Sequence, residues 1–250
     1  SEELINDAAS GFNKINYNLP SYSKIDGTKH YWTALNELEK IKKFENPNLK
    51  DAVYIVENAF LENSLSYEKF SGIIQEIANL CNIKIKDENG NLDDNLTKNL
   101  MLFSFMSDTI EFYDTEREQA VYTYPMQYDF EDYEGKKDWT KMFVTKLLLS
   151  QKGQCHSMPL LYLIISQEMG SEAFLSYSPS HSFVKIRDNY NRWYNLELTN
   201  GVIISDAAIL ESGFIKSEAI KNKIYLDTLG VNKILGQCYI DLAQGYKFKY

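Results

Sequence analysis

Between Cys155 and Met169 the chain carries few side chains suited to water, and its centre, Leu160–Ile165, is an unbroken apolar run. That run is far too short to cross a bilayer, which needs about 20 apolar residues in succession. The segment therefore reads as a very apolar helix, starting at or just before Cys155 and running to Met169, where Gly170 fits a C-terminal cap. A helix of this kind has to be covered by other elements. Three runs of strand character follow, Ala173–Tyr177, His181–Arg187 and Arg192–Thr199, with turn residues between them and Asn200-Gly201 closing the last. The expected fold class is α+β, with helices packed on a small antiparallel sheet.

Most of the remaining chain is helical in pattern. Trp32, Leu35, Leu38 and Ile41 recur at three-residue steps within Tyr31–Phe44, which predicts one apolar helix face. Pro47 marks a break, and a second helix is expected over Asp51–Leu61. A third runs from Ser66, its cap, to about Cys81, with Phe70, Ile73, Ile74, Ile77 and Leu80 as its stripe. Asp87–Asp94 reads as a loop and Leu96–Ser107 as a fourth helix. Asp108–Glu134 mixes Tyr, Phe and acids and reads as irregular, with a short strand around Val121–Tyr124. Trp139–Leu149 is expected to be one helix, and Asp206–Lys221 and Val231–Tyr246 carry further helical patterns. The chain thus divides into a helical N-terminal region (residues 1–107) packed on a core (residues 108–226), then a C-terminal helix (residues 227–250).

Charge removes one class of function. With 35 acidic and 26 basic residues the formal net charge is −9, a field that repels phosphate backbones. The basic clusters Lys40–Lys43 and Lys136–Lys137 read as solvated faces, so no nucleic-acid partner is expected. Cys81, Cys155 and Cys238 are too few and too scattered for a disulfide scaffold. There is no C-x-x-C or H-x-x-x-H spacing, and His30, His156 and His181 are the whole imidazole supply, so no metal site is expected. The chain begins at Ser1 without a signal-peptide stretch. That start fits a cleaved export signal or a removed tag, and a periplasmic or secreted location is favoured over a cytoplasmic one.

The sequence Lys152-Gly153-Gln154-Cys155-His156-Ser157 puts a cysteine at the first turn of a helix. Unpaired N–H groups there carry partial positive charge and favour the thiolate, the nucleophilic form. The alternative is a structural cysteine packed on an apolar helix. A thiol nucleophile needs a base, and the base needs a group to orient it. A hairpin turn centred on Asn189, with its loop at Asp188–Tyr190, sets Ser182, Val184 and Ile186 opposite Leu196, Tyr194 and Arg192. It also sets His181 opposite Glu197 on the other face, where Cβ atoms about 5 Å apart suit an imidazole–carboxylate bond. The alternative there is a surface His–Glu pair without chemistry. His156, one position from Cys155, points about 100° away from it on a helix and reads as structural. The Cys155 N–H is the expected oxyanion donor, with a side-chain donor from Gln154 or Gln151 beside it.

Gly-x-Cys at a helix start, a strand beginning with His181, and Trp193-x-x-x-Glu197 together resemble the transglutaminase-like core of the papain-like cysteine-enzyme superfamily. Trp139–Gly201 carries the resemblance, and Gly153–Leu163 and Arg192–Gly201 look like segments of uncharacterised bacterial transglutaminase-like proteins. In some of these, helical repeats follow the core. The resemblance implies a papain-like fold with Cys155 as nucleophile, His181 as base and Glu197 as orienting acid. It implies no organic cofactor or metal. The family's usual acid is Asp, so Glu197 departs from the pattern by one methylene.

The function expected from this reading is acyl transfer from an amide or ester of a peptide, protein or other amide-containing substrate. Water as acceptor makes a peptidase or amidase, and an amine makes a transglutaminase. The alternative is an inactive core serving as a binding module, its Tyr-rich segment lining a peptide or polymer groove.

Overall fold

Asn48, Ser66 and Asp94 each accept a hydrogen bond from the backbone N–H three residues ahead, at 3.1, 3.3 and 2.7 Å. Each satisfies an N–H that its helix leaves unpaired. In the computed structural model, which describes residues 25–250, these caps open α2 (Leu49–Phe60), α3 (Tyr67–Asp87) and α4 (Asn95–Ser107), after α1 (Thr28–Ile41). Residues 1–24 of the expected N-terminal region lie outside the described residues. The four predicted helices are present. The third runs six residues past Cys81, because Ile85 continues the buried stripe of Ile74, Ile77 and Cys81.

The chain then forms a hairpin, β1 (Ile110–Asp114) and β2 (Gln119–Thr123), where one short strand was expected. β1 alternates, with Ile110, Phe112 and Asp114 covered and Glu111 and Tyr113 exposed, whereas β2 is exposed from Gln119 to Tyr122 and shows no alternation. β3 (Gln127–Tyr128) pairs in parallel with β4 (Lys152–Gly153). Trp139–Leu149 is not one helix. Asp138 caps a 3₁₀ turn over Trp139–Met142, and α5 (Val144–Ser150) starts afresh beyond Phe143. The restart has a specific cause: the buried Glu57 carboxylate, from α2, accepts the N–H groups of Val144 (2.6 Å) and Thr145 (2.9 Å).

α6 (Ser157–Glu168) is the expected apolar helix, closed by Gly170 at φ +63°. Met158, Leu161, Tyr162, Ile164 and Ile165 are fully buried, within one apolar cluster that runs from Tyr31 on α1 to Leu242 near the C-terminus. Each contributes on the order of 1.5–3 kcal/mol. The Tyr162 hydroxyl donates to the Asn99 carbonyl at 2.7 Å, so the polar atom within this core is satisfied.

The main sheet is antiparallel, in the order β5 (Phe174–Ser178), β6 (His181–Arg187), β7 (Trp193–Glu197), β8 (Val202–Ile204). β8 follows the Gly201 turn (φ +66°) and adds a strand where the sequence reading ended the sheet. Asp206–Lys221 divides into α7 (Asp206–Ser212) and α8 (Ser217–Lys221) around Gly213-Phe214, with Phe214 at φ +48°. α9 (Val231–Lys249) packs across α2 and α1. The architecture is mixed α and β with small sheets, compatible with the α+β class. Among the described residues no helix is long and apolar enough to cross a membrane.

Candidate active site

The β6–β7 turn differs from the sequence expectation in a way that matters at His181. The loop is Asn189–Asn191, centred on Tyr190, not on Asn189, because Asp188 organises it. The Asp188 N–H bonds the Arg192 carbonyl at 3.0 Å, and its carboxylate accepts from the N–H groups of Tyr190 and Arg192 and from Arg192 Nε. Asn191 takes the left-handed conformation (φ +61°) that ends such a three-residue hairpin loop. Shifting the centre by one residue slides the partner strand by two. The pairs are therefore Val184 with Leu196 and Ile186 with Tyr194.

A slide of two keeps every side chain on its face. His181 and Glu197 still share a face, but along this ladder His181 stands level with Thr199, and Glu197 lies one diagonal away. They meet all the same, with His181 Nε2 2.6 Å from Glu197 Oε2. Diagonal neighbours are more widely spaced than direct partners, so the longer reach of Glu suits the position. The other oxygen, Oε1, accepts the Thr199 N–H at 3.1 Å and the Thr199 hydroxyl at 2.6 Å. The carboxylate is fixed at both ends.

Cys155 sits in a turn just before α6, not within its regular part. The Met158 N–H already reaches the Gln154 carbonyl at 3.0 Å, and the Leu160 N–H reaches the His156 carbonyl at 3.4 Å. Between them Pro159 has no N–H to give the Cys155 carbonyl. The Ser182 hydroxyl, on β6, takes its place as donor to that carbonyl, and the Ser182 backbone helps to hold the Cys155 pKa down. A proline in the first helical turn thus frees a peptide group that the sheet captures. Ser182 is a site residue that sequence reasoning missed, although Pro159 four residues after Cys155 was a visible signal.

Gly153 lies beneath this turn. A Cβ there would stand 2.8 Å from Met158 Cγ and 3.0 Å from Leu147 Cδ1, closer than packed carbons allow. A side chain there would force Met158 or Leu147 to shift.

The electrostatics follow the geometry. Burial works to raise the Cys155 pKa, but the His181 hydrogen bond and charge, the Ser182 N–H and the His156 charge together hold it below its ordinary value. His181 is pushed up to about 9, first by its hydrogen bond to Cys155, then by Glu197. Burial opposes ionisation of Glu197, and its bonds to His181 and Thr199 more than offset this and hold it low. The arrangement favours a thiolate beside an imidazolium. The two other thiols differ: burial raises Cys81 to about 12 and raises Cys238 further. All three cysteines are free.

His156 faces elsewhere. Its Nε2 lies 3.1 Å from Asp241 Oδ2 on α9, in a pocket that Glu57 and Cys238 also line. Burial there opposes the imidazolium, and the Asp241 charge outweighs it. Glu57, desolvated in the same pocket, rises to about 7. Asp241 and Glu57 lie far from Cys155 in sequence, with no local pattern to reveal them. Gln154 is buried; its Nε2 donates a long bond (3.5 Å) to the Asp132 carbonyl, while Oε1 has no partner. That side chain reaches for a loop. The Cys155 N–H has no acceptor among the described residues. His30 lies on α1, and Gln151 ends α5 in the left-handed conformation (φ +55°).

Trp193 is half exposed at the start of β7, edge-on to Phe174 at 5.5 Å and beside the Lys185 and Arg187 cations. Among the described residues no cluster of three or more His, Cys, Asp or Glu is placed to hold a metal ion. Comparison of the chain with family models, with curated proteins and with solved structures finds no significant match.

Proposed function

We propose that this protein is a thiol-dependent acyl-transfer enzyme on a transglutaminase-like core, hydrolysing an amide or ester through Cys155, His181 and Glu197. The observation that carries the reading is the His181 imidazole held 2.6 Å from a carboxylate that Thr199 anchors, while imidazole and Cys155 thiol shift each other's pKa in opposite directions. These are the parts a cysteine nucleophile requires. The order of a turn-borne Cys155, a strand-borne His181 and an acid four residues after Trp193 supports the family resemblance.

In this mechanism the Cys155 thiolate attacks the substrate carbonyl and forms a tetrahedral oxyanion, stabilised by the Cys155 N–H. Collapse breaks the C–N bond as the His181 imidazolium gives its proton to the leaving amine. The product is a thioester and a neutral imidazole. Water then attacks the thioester, losing a proton to His181, and release of the acid restores the thiolate–imidazolium pair. Glu197 stays ionised throughout and holds the ring.

The test is competitive alkylation. Iodoacetamide at pH 7 should modify Cys155 at least tenfold faster than Cys81 or Cys238, as read by peptide mapping, and His181→Ala should abolish the difference. Equal, slow modification of all three thiols would refute the enzyme reading and favour a binding module.

A further inference from the structure

The segment before the 3₁₀ turn has no regular structure, yet it is tied by hydrogen bonds to β4, the strand that leads into Cys155. The Asp129 N–H bonds the Gly153 carbonyl at 2.7 Å, and Gln154 Nε2 reaches the Asp132 carbonyl. Asp132 accepts the N–H groups of Lys136, Lys137 and Asp138 at 3.0, 2.8 and 2.8 Å, folding the segment back on itself. From this anchored frame the Phe130 side chain projects with 81% of its surface exposed, and Tyr133 with 54%. Phe130 rests edge-on against Tyr128, with ring centres 4.8 Å apart. Tyr128 pairs with Gly153 across the β3–β4 ladder. Its phenol is held above its ordinary range by burial first and then by the negative charge of Cys155, which places it in the field of the nucleophile.

An exposed phenylalanine on a loop held this firmly has no role in the core. Each of the loop's carboxylates has a partner within the fold, with Glu131 and Glu134 paired at the exposed surface. Lys141 and Lys146 hold Asp129, Lys141 holds Glu131, Lys136 holds Glu134, and Thr140 holds Asp138. With its anions engaged, the segment presents aromatic faces, which recognise apolar side chains through burial and ring packing. We propose that Tyr128, Phe130 and Tyr133 form a recognition ledge for a peptide substrate, seating an apolar side chain next to the amide that Cys155 attacks. This assignment rests on the acyl-transfer reading and names its substrate class.

Peptidyl vinyl sulfones, identical except for Phe, Leu, Gly, Asp or Lys at the position beside the electrophile-bearing residue, test it on the full chain. The thiolate adds to the β-carbon of such a probe, and the imidazolium proton ends on the α-carbon. Inactivation should be at least about tenfold faster with Phe or Leu than with Gly, Asp or Lys, the scale of burying part of one apolar side chain. Phe130→Ser and Tyr133→Ser should each erode that preference, and together reduce it to about twofold or less. Iodoacetamide rates at Cys155 should stay within about twofold, since among the described residues no hydrogen bond joins Phe130 or Tyr133 to Cys155, His181 or Glu197. Equal rates across the probes, a preference for Lys, or a preference that survives both substitutions overturns the ledge while leaving the nucleophile intact. Failure of iodoacetamide to single out Cys155 overturns the acyl-transfer reading, and the ledge falls with it.

Discussion

Glu197 Oε2 stands 2.6 Å from His181 Nε2, although the register of β6 and β7 does not make the two residues direct partners. The contact crosses a diagonal, and the Glu side chain supplies the reach. An aspartate, shorter by one C–C bond of about 1.5 Å, would fall short from the same backbone.

Glu197→Asp should therefore lower Cys155 alkylation at pH 7 rather than restore a family-like site. Glu197→Gln should lower it by an order of magnitude or more, because the charge that stabilises the imidazolium is gone. Thr199→Val, which removes one of the two bonds on Oε1 at nearly constant volume, should cost several-fold. Circular dichroism should show each variant folded. Unchanged alkylation rates in all three would reduce Glu197 to a surface residue of the hairpin.

The pH dependence follows from the shifted pair. Cys155 lies below its ordinary value and His181 at about 9, so thiolate and imidazolium coexist from the depressed thiol pKa up to about pH 9. Alkylation should stay fast well below pH 8, and any acyl transfer should fade as pH rises through about 9, when the proton for the leaving group is lost. The sign for stability is the same on that side. A raised imidazole contributes stability that is full below its unfolded pKa of 6.5 and lost as pH climbs through about 9. A single alkylation midpoint at the ordinary thiol value would contradict the pair.

Much of the architecture was legible in the sequence because burial there follows the period of the element. The stripe of α3 and the strand runs around His181 and Trp193 are of this kind, whereas on α1 the buried face is Tyr31, Ala34 and Leu38 and the expected Trp32 is exposed. What escaped depends on single side chains acting at a distance. Glu57 restarts the helix at Val144, Asp188 sets the hairpin's centre, and Asp241 meets His156 from the far end of the chain. The hairpin is instructive. Its turn was misplaced by one residue, yet the shared face of His181 and Glu197 survived, because odd-length loops preserve the parity of a strand. In the site itself, the types and faces of Cys155, His181 and Glu197 were readable, while Ser182 and Thr199 were not.

His156→Ala should separate the two imidazoles. Losing the Asp241 contact leaves a largely buried carboxylate with Gln237 as its one remaining donor among the described residues (2.9 Å), at a cost of about 1–3 kcal/mol in unfolding free energy. Cys155 alkylation should change by no more than about threefold, since the His156 charge is a minor influence on the thiol. His181→Ala should do the reverse. A His156 variant as unreactive as the His181 variant would reassign the base.

Ser182→Ala removes the hydroxyl from the Cys155 carbonyl and should destabilise the fold by about 1–3 kcal/mol. Pro159→Ala restores an N–H between two helical bonds already in place, so the double variant should recover part of that loss. Denaturant melts of the four proteins would give a coupling of at least about 0.5 kcal/mol. Additive losses would mean that the proline and the serine do not act on the same carbonyl.

The clamp on Cys155 and the imidazole beside it come from consecutive residues, Ser182 and His181, on one strand. When the sheet shifts against the helix in a thermal fluctuation, the strand carries nucleophile and base along together, and the error is common to both. The separation that governs proton transfer is thus insulated from the breathing of the interface that lies beneath it.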